Sequence, residues 1–298
     1  MGGKRLAIID GDLVAYRAAA ANETRSVRVT HKVTGQVTEH AHRTGFKEHI
    51  KGIFEIDEFI IEDVQTPEDI RFALNGVKSS IKSLCDACEA DEYEVYISGK
   101  TNFRDDLPLP SKYKGTREGG IRPVQLKECR DYLVQYHEAF LAEGCEADDK
   151  LAQRCYEGLR SGDITIACTI DGDQNGVAGW MYNWNKMSAP KLVSGLGHIE
   201  LIKDKKDFDG YGRKFYFAQW VLGDVTDCFK PCELAKKKFG VVAMYNLLKD
   251  CNTDKECVEA VYKQYKTWYP QPLTYTAWDG STHTKDAIAL MDMYAACA

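Results

Sequence analysis

The apolar positions of this chain fall into short continuous runs separated by amphipathic stretches. Leu6-Ala7-Ile8-Ile9 ends on Asp10, and the β-branched run from Ile164 to Ile170 ends on Asp171. Such runs predict strands buried on both faces, each delivering an aspartate at its carboxyl end. Tyr93 to Ser98, Trp180 to Trp184 and Ile199 to Ile202 predict further strands. Between them, Leu13 to Asn22 is alanine-rich with helical spacing. Thr66-Pro67-Glu68-Asp69 has the cap, proline and acids of a helix start, predicting a helix to about Ala90. Pro123 to Phe140 predicts a helix with Val124, Cys129, Leu133 and Tyr136 on one face. Glu146 to Leu159 predicts another, opening with acids. Val27 to His40 alternates about Val33-Thr34-Gly35-Gln36, the pattern of a hairpin. Residues 44–64 show no clear period. Phe215 to Leu222 leads helically into Gly223-Asp224, three short helical stretches follow Pro231, and residues 269–284 read as irregular. Strands alternating with helices predict an α/β fold with a mainly parallel central sheet flanked by helices. Ligands of such sheets bind beyond the carboxyl ends of the strands.

Acidic groups recur in a set order: Asp10-Gly11-Asp12, Glu146-Ala147-Asp148-Asp149, Asp171-Gly172-Asp173, then Asp224 and Asp227. Carboxylates gathered at one sheet edge repel each other unless cations join them. Oxygen-only ligands favour hard divalent ions such as magnesium or manganese, and a pair of such ions can act on a phosphodiester. Asp171 and Asp173 flank a glycine where the chain can turn, and Glu146 and Asp149 share a helical face. The basic motif Lys112-Tyr113-Lys114-Gly115-Thr116-Arg117 points to a phosphate substrate. Taken singly, each motif has a blander reading: a turn, a dipole-compensating helix start, a solvated loop. Their joint order favours the metal site.

Composition narrows the classes. A net charge of −6 argues against a protein that coats nucleic acid by bulk charge. The chain holds 11 cysteines, and no apolar leader precedes the first strand, so free thiols in the cytoplasm are expected, the host cytoplasm if the chain is phage-encoded. No segment has the length of a membrane span. Cys85-Asp86-Ala87-Cys88 lies in a helical pattern without a second pair, and His31, His40, His42 and His49 lack ligand spacing. The basic stretch 111–122 reads as exposed and mobile.

These motifs together resemble the 5′ nuclease superfamily: flap endonucleases, the 5′ nuclease domain of bacterial DNA polymerase I, and bacteriophage 5′→3′ exonucleases. The resemblance is carried by Ile8-Ile9-Asp10-Gly11-Asp12, Asn102-Phe103-Arg104, Tyr113-Lys114-Gly115-Thr116-Arg117, Gly144-Cys145-Glu146-Ala147-Asp148-Asp149, Thr169-Ile170-Asp171-Gly172-Asp173 and Gly223-Asp224-Val225-Thr226-Asp227. It implies a PIN-like 5′ nuclease fold, with a catalytic region over 1–222, an arch near 107–124 and a helical DNA-binding region over 223–298. It implies a divalent-metal-dependent 5′→3′ exonuclease and flap endonuclease, monomeric, acting on DNA or RNA–DNA hybrid with a free 5′ end or flap. Asp10, Glu146, Asp148 and Asp149 would hold one ion, and Asp171, Asp173, Asp224 and Asp227 a second. Lys114 and Arg117 would act on the scissile phosphate. Arg104, Lys112, Lys236, Lys237 and Lys238 would meet nucleic acid, and Tyr113 would stack on a base. Relatives carry an aspartate near the position of Ser98-Gly99-Lys100, and a glycine-rich turn after the last acidic pair; this chain has neither. A PIN-like ribonuclease and a catalytically inactive nucleic-acid-binding protein are the competing readings.

Overall fold

The computed structural model describes residues 4–117, 119–193 and 195–298. Its elements run β1 (Arg5–Asp10), α1 (Gly11–Ala21), β2 (Glu23–His31), β3 (Val37–His40), α2 (Arg43–Ile50), β4 (Phe59–Pro67), α3 (Ile70–Cys88) and β5 (Glu92–Asn102). They continue with α4 (Leu126–His137), β6 (Phe140–Gly144), α5 (Ala147–Ser161), β7 (Ile164–Cys168), β8 (Gly179–Tyr182), β9 (Lys191–Val193), β10 (His198–Ile202) and β11 (Asp207–Tyr211). The chain closes with α6 (Arg213–Leu222), α7 (Val241–Leu248), α8 (Asp254–Trp268), β12 (Leu273–Thr276), β13 (Thr282–Lys285) and α9 (Ala287–Ala295). Two compact units result: Met1–Gly11, Ser83–Gly120 and Ala139–Ala298 form one, Asp12–Lys82 and Ile121–Glu138 the other.

The first unit is built on a six-stranded sheet of order β6-β5-β1-β7-β8-β9, parallel except where β9 pairs with β8. The expected α/β architecture, mainly parallel, is therefore present. β1 is central, and Ala7, Ile8 and Ile9 are completely buried, as an unbroken apolar run requires. Leu151 and Cys155, one helical turn apart on α5, pack on Ile8 and Ala167. A second core gathers α6 to α9 around Tyr265, Met244, Leu248 and Leu290, all fully buried. Two short antiparallel pairs, β10-β11 and β12-β13, complete this unit.

The second unit holds the antiparallel sheet β3-β2-β4, with Val27 and Val29 packed on Phe46 and Ile50 of α2. The hairpin expected over Val27 to His40 is present as β2 and β3. His31, His40 and His49 line a small cavity with Phe46, Phe54 and Phe59. Among the described residues no helix is long and apolar enough to cross a membrane.

Four local expectations are corrected. Thr66 and Pro67 end β4, paired with Thr24 and Glu23, and the helix starts only at Ile70. The Asp69 side chain receives the Arg71 N–H instead. Helix α4 begins at Leu126, so Val124 precedes it and is 50% exposed; Tyr136 is also exposed, its ring tilted against that of Tyr132. Phe140 belongs to the edge strand β6, whose five residues bury only Ala142 and so show no apolar signal. Residues 273–285, expected irregular, form a hairpin in which Tyr275 faces His283. Four-residue polar strands carry too little pattern to announce themselves.

Candidate active site

The carboxyl ends of β1 and β7 lie side by side and deliver Asp10 and Asp171 to one edge. Thr169 joins them: its hydroxyl donates to Asp10 Oδ2 at 3.0 Å and receives the backbone N–H of Asp171 at 3.1 Å. The first turn of α5 adds Glu146, Asp148 and Asp149; Asp149 Oδ2 accepts from the Glu146 N–H, and Asp148 Oδ1 from the Asp149 N–H. The end of α6 supplies the last pair. Gly223 adopts φ +74°, and a Cβ there would stand 2.3 Å from the Phe229 carbonyl, so only glycine permits the turn. Asp224 Oδ1 then takes the N–H groups of Thr226 and Asp227.

A cavity of about 310 Å³ in the first unit is lined by Glu146, Asp148, Asp149, Asp173 and Asp227 together with Arg104 and Tyr113. Asp10, Asp171 and Asp224 lie outside its lining. Asp171, Asp224 and Asp227 nonetheless act on Asp173. Burial first, and these charges next, raise the Asp173 carboxyl to about 6, although a hydrogen bond from Gln219 opposes the rise. Burial, then the Glu146 and Asp149 charges, raises Asp148 to about 7. Burial also raises Asp227, with Lys114 and Arg117 opposing. For Asp149 burial is outweighed by the Arg104 guanidinium, and its carboxyl falls below the usual range.

Basic side chains neutralise part of this charge from within. Arg104 is buried and grips Asp149 with two bonds of 2.7 and 2.9 Å. Lys114 Nζ lies 2.5 Å from Glu146 Oε1 and 3.6 Å from Asp227 Oδ2. Arg117 reaches Asp227 at 2.8 Å while remaining half-exposed. Tyr113, expected to stack on a base, lines the cavity at only 5% exposure, with the Arg104 and Lys114 cations over its ring. Its hydroxyl lies 2.8 Å from Asp227 Oδ2 and 3.1 Å from Glu146 Oε2, so one proton serves two carboxylates. Lys112 lies over Trp278. Lys236, Lys237 and Lys238 occupy an exposed turn ahead of α7 rather than a helix. In the second unit Asp12 is paired with Arg130.

Two carboxamides join the acids without any motif to announce them. Gln219 donates to Asp173 Oδ1 at 2.6 Å, and Gln174 donates to the Asp148 carbonyl at 3.0 Å. Both are buried. Gln219 had a legible signal, a polar residue inside the apolar run of α6; Gln174 had none.

The donor set suits a hard divalent cation. Asp148 and Asp173 are carboxyls raised by burial and like charge, the condition a cation relieves. Gln174 Oε1 is a buried acceptor with no hydrogen-bond partner. Among the described residues no three carboxylate, histidine or cysteine side chains already converge on one point. Glu146, Asp149 and Asp227 are instead turned towards Lys114, Arg104 and Arg117. Cation binding would have to open these pairs.

Gly99 stands where a side chain has no room. A Cβ on Gly99 would lie 2.6 Å from the Glu143 carboxylate and 2.7 Å from the Ala142 carbonyl. Gly99→Asp is therefore expected to destabilise the fold by about 1–3 kcal/mol, as overpacking does, without raising divalent-ion affinity. Chemical denaturation and calorimetric titration with Mn2+ would check both parts.

No family profile and no curated protein matches this chain. Solved structures do. The metal-bound D15 protein of bacteriophage T5 is 16% identical over 99% of this chain and 87% of its own, with a TM-score of 0.52. T5 5′-exonuclease with zinc bound is 18% identical over 88% and 79%, with a TM-score of 0.50. A point mutant of that exonuclease is 15% identical over 99% and 86%, with a TM-score of 0.51. The parallel sheet and these superpositions together show that this chain shares the fold of the T5 5′-exonuclease structures.

Proposed function

We propose that this protein is a divalent-metal-dependent 5′ nuclease, acting as a 5′→3′ exonuclease and flap endonuclease on DNA or RNA–DNA hybrid. The observation that carries the reading is the shared cavity of Glu146, Asp148, Asp149, Asp173 and Asp227, bordered by Lys114 and Arg117. Its fold is that of a phage protein co-crystallized with metal ions and of a 5′-exonuclease with divalent zinc bound. Residues 223–298, with Lys236 to Lys238, would add contacts to the nucleic-acid backbone.

Magnesium or manganese, as two ions, would be held by Asp10, Glu146, Asp148 and Asp149 and by Asp171, Asp173, Asp224 and Asp227. Bound there, they would supply Lewis-acid activation of water and neutralise charge at the leaving oxygen. Gln219 fixes the Asp173 carboxylate, and Thr169 ties Asp10 to the Asp171 backbone, so the acids keep their places as charge changes. Glu146 and Asp227, once committed to cations, would release Lys114 and Arg117 to the scissile phosphate. The Lys114 and Arg117 side chains would then stabilise charge that grows on its oxygens in the transition state.

The test is a cleavage assay on 5′-labelled flap, nicked duplex, single strand, RNA and RNA–DNA hybrid, with magnesium and with chelator. Release from the 5′ end only in magnesium is expected; cleavage that persists in chelator would refute the reading. Preference for RNA would favour a ribonuclease. Lys114→Ala is expected to slow single-turnover cleavage by about 100- to 1,000-fold, with substrate affinity changed far less. Equal losses in both would make Lys114 a mere anchor.

A further inference from the structure

We propose that the β12–β13 hairpin is a positioning element for the basic loop. It holds residues 108–112 so that Lys114 and Arg117 are presented at the acidic cavity. The catalytic part of this inference rests on the nuclease reading above; the anchoring part does not.

The sequence of this loop, with Pro108, Pro110 and a run of basic and glycine residues, reads as mobile. The structure shows two anchor points instead. At the first, the backbone N–H of Trp278 donates to the Leu109 carbonyl at 2.9 Å, and the Tyr275 hydroxyl donates to the Pro108 carbonyl at 2.7 Å. The Leu109 side chain is completely buried in the same core as Tyr275 and Ala277. At the second, the Lys114 N–H donates to the Asp227 carbonyl at 3.0 Å. Four residues separate Leu109 from Lys114, and within that span Lys112 Nζ rests 5.1 Å from the Trp278 ring centroid. The loop then tightens through the Gly115 N–H to Lys112 and the Arg117 N–H to Lys114.

The hairpin is built to be stiff at the end that does this. Its strands are pinned by a Thr274–Thr284 hydroxyl bond of 2.7 Å. Its turn is closed by the Ala277 N–H to Ser281, and Asp279 accepts from both the Ser281 N–H and its hydroxyl. Tyr275 is 8% exposed, so its bond to Pro108 is shielded from water; Trp278 is 41% exposed and lies under Lys112. Proline has no N–H, so Pro108 and Pro110 give the loop no ladder of its own. The Pro108 and Leu109 carbonyls are satisfied from outside the loop, by donors from the hairpin.

The experiment compares the full chain with Tyr275→Phe, Trp278→Ala and Trp278→Phe. Trypsin cleavage after Lys112, Lys114 and Arg117, followed by mass spectrometry under native conditions, reads anchoring directly. Loss of the Tyr275 bond is expected to speed cleavage about fivefold, the effect of one hydrogen bond. Trp278→Ala should act similarly and Trp278→Phe should restore protection. Cleavage turnover on a 5′ flap in magnesium should fall by at least as much in Tyr275→Phe, with substrate affinity within twofold (about the resolution of such titrations). A purely structural role would lower thermal stability and leave this split between turnover and affinity absent. Unchanged trypsin sensitivity in Tyr275→Phe and Trp278→Ala overturns the proposal, whether or not the parent chain cuts nucleic acid. Raised sensitivity with an inactive parent upholds the anchor and removes the nuclease reading instead.

Discussion

Asp173→Asn is expected to lower magnesium-dependent cleavage of a 5′ flap by about a thousandfold or more, because several kcal/mol of transition-state stabilisation depend on a correctly held cation. The carboxyl is nearly as large as the amide, so the cavity keeps its shape. The Gln219 side chain, which donates to Asp173 Oδ1, retains an oxygen to bond. The same substitution should raise the thermal midpoint in chelator above pH 6. It removes a buried charge that Asp171, Asp224 and Asp227 repel. Rate and stability thus move in opposite directions, which separates a functional carboxylate from a structural one. Loss of both activity and stability would assign Asp173 to the scaffold, and retained activity would remove it from the site. Single-turnover kinetics and thermal unfolding of the same preparation decide between them.

Stability without metal should also fall as pH rises from about 4 to 7. The Asp148 carboxyl stands at about 7 and that of Asp173 at about 6 in the folded chain, against about 4 for an ordinary aspartate. The folded state therefore holds more protons than the unfolded state across this window, and stability declines as they are lost. The decline from Asp148 alone is on the order of 4 kcal/mol. Asp149, held below its usual range, has the opposite sign and acts only as pH falls below about 4. Magnesium added at pH 7.5 should recover the loss, since a ligand that binds only the folded state stabilises it. Thermal unfolding from pH 4 to 8, with chelator and with magnesium, reads both effects. A flat profile, or no response to either Mg2+ or Mn2+ at pH 7.5, would show that Asp148 and Asp173 neither destabilise the folded chain nor bind the cation.

The two experiments probe one electrostatic arrangement. Five carboxylates line the cavity, and the Arg104, Lys114 and Arg117 side chains offset three of them. The two least compensated, Asp148 and Asp173, carry the larger rises, and Asp227, though paired, rises less. The same basic residues that would serve a phosphate substrate thus pair with the cavity carboxylates as counter-ions. Buried pairs of this kind add little net stability, since desolvation offsets attraction, and that makes their exchange for cations and phosphate inexpensive.

The sequence by itself determined the strands β1 and β7, the helix α5 and the acids at their ends, because each is a local pattern: an apolar run, a helical period, an acidic first turn. The order of the acidic motifs and the parallel sheet that gathers Asp10 and Asp171 were legible for the same reason. The tertiary structure alone decided what those acids touch. Tyr113 sits 33 residues from Glu146 and 114 from Asp227, and its burial between them has no local signature. The grip of Arg104 on Asp149, the bonds of Gln174 and Gln219, and the hold of Tyr275 on Pro108 likewise join residues 26 to 167 positions apart. Periodicity reports which face of an element is buried, whereas hydrogen bonds and ion pairs across such separations exist only once the sheet and helices have fixed the distances between them.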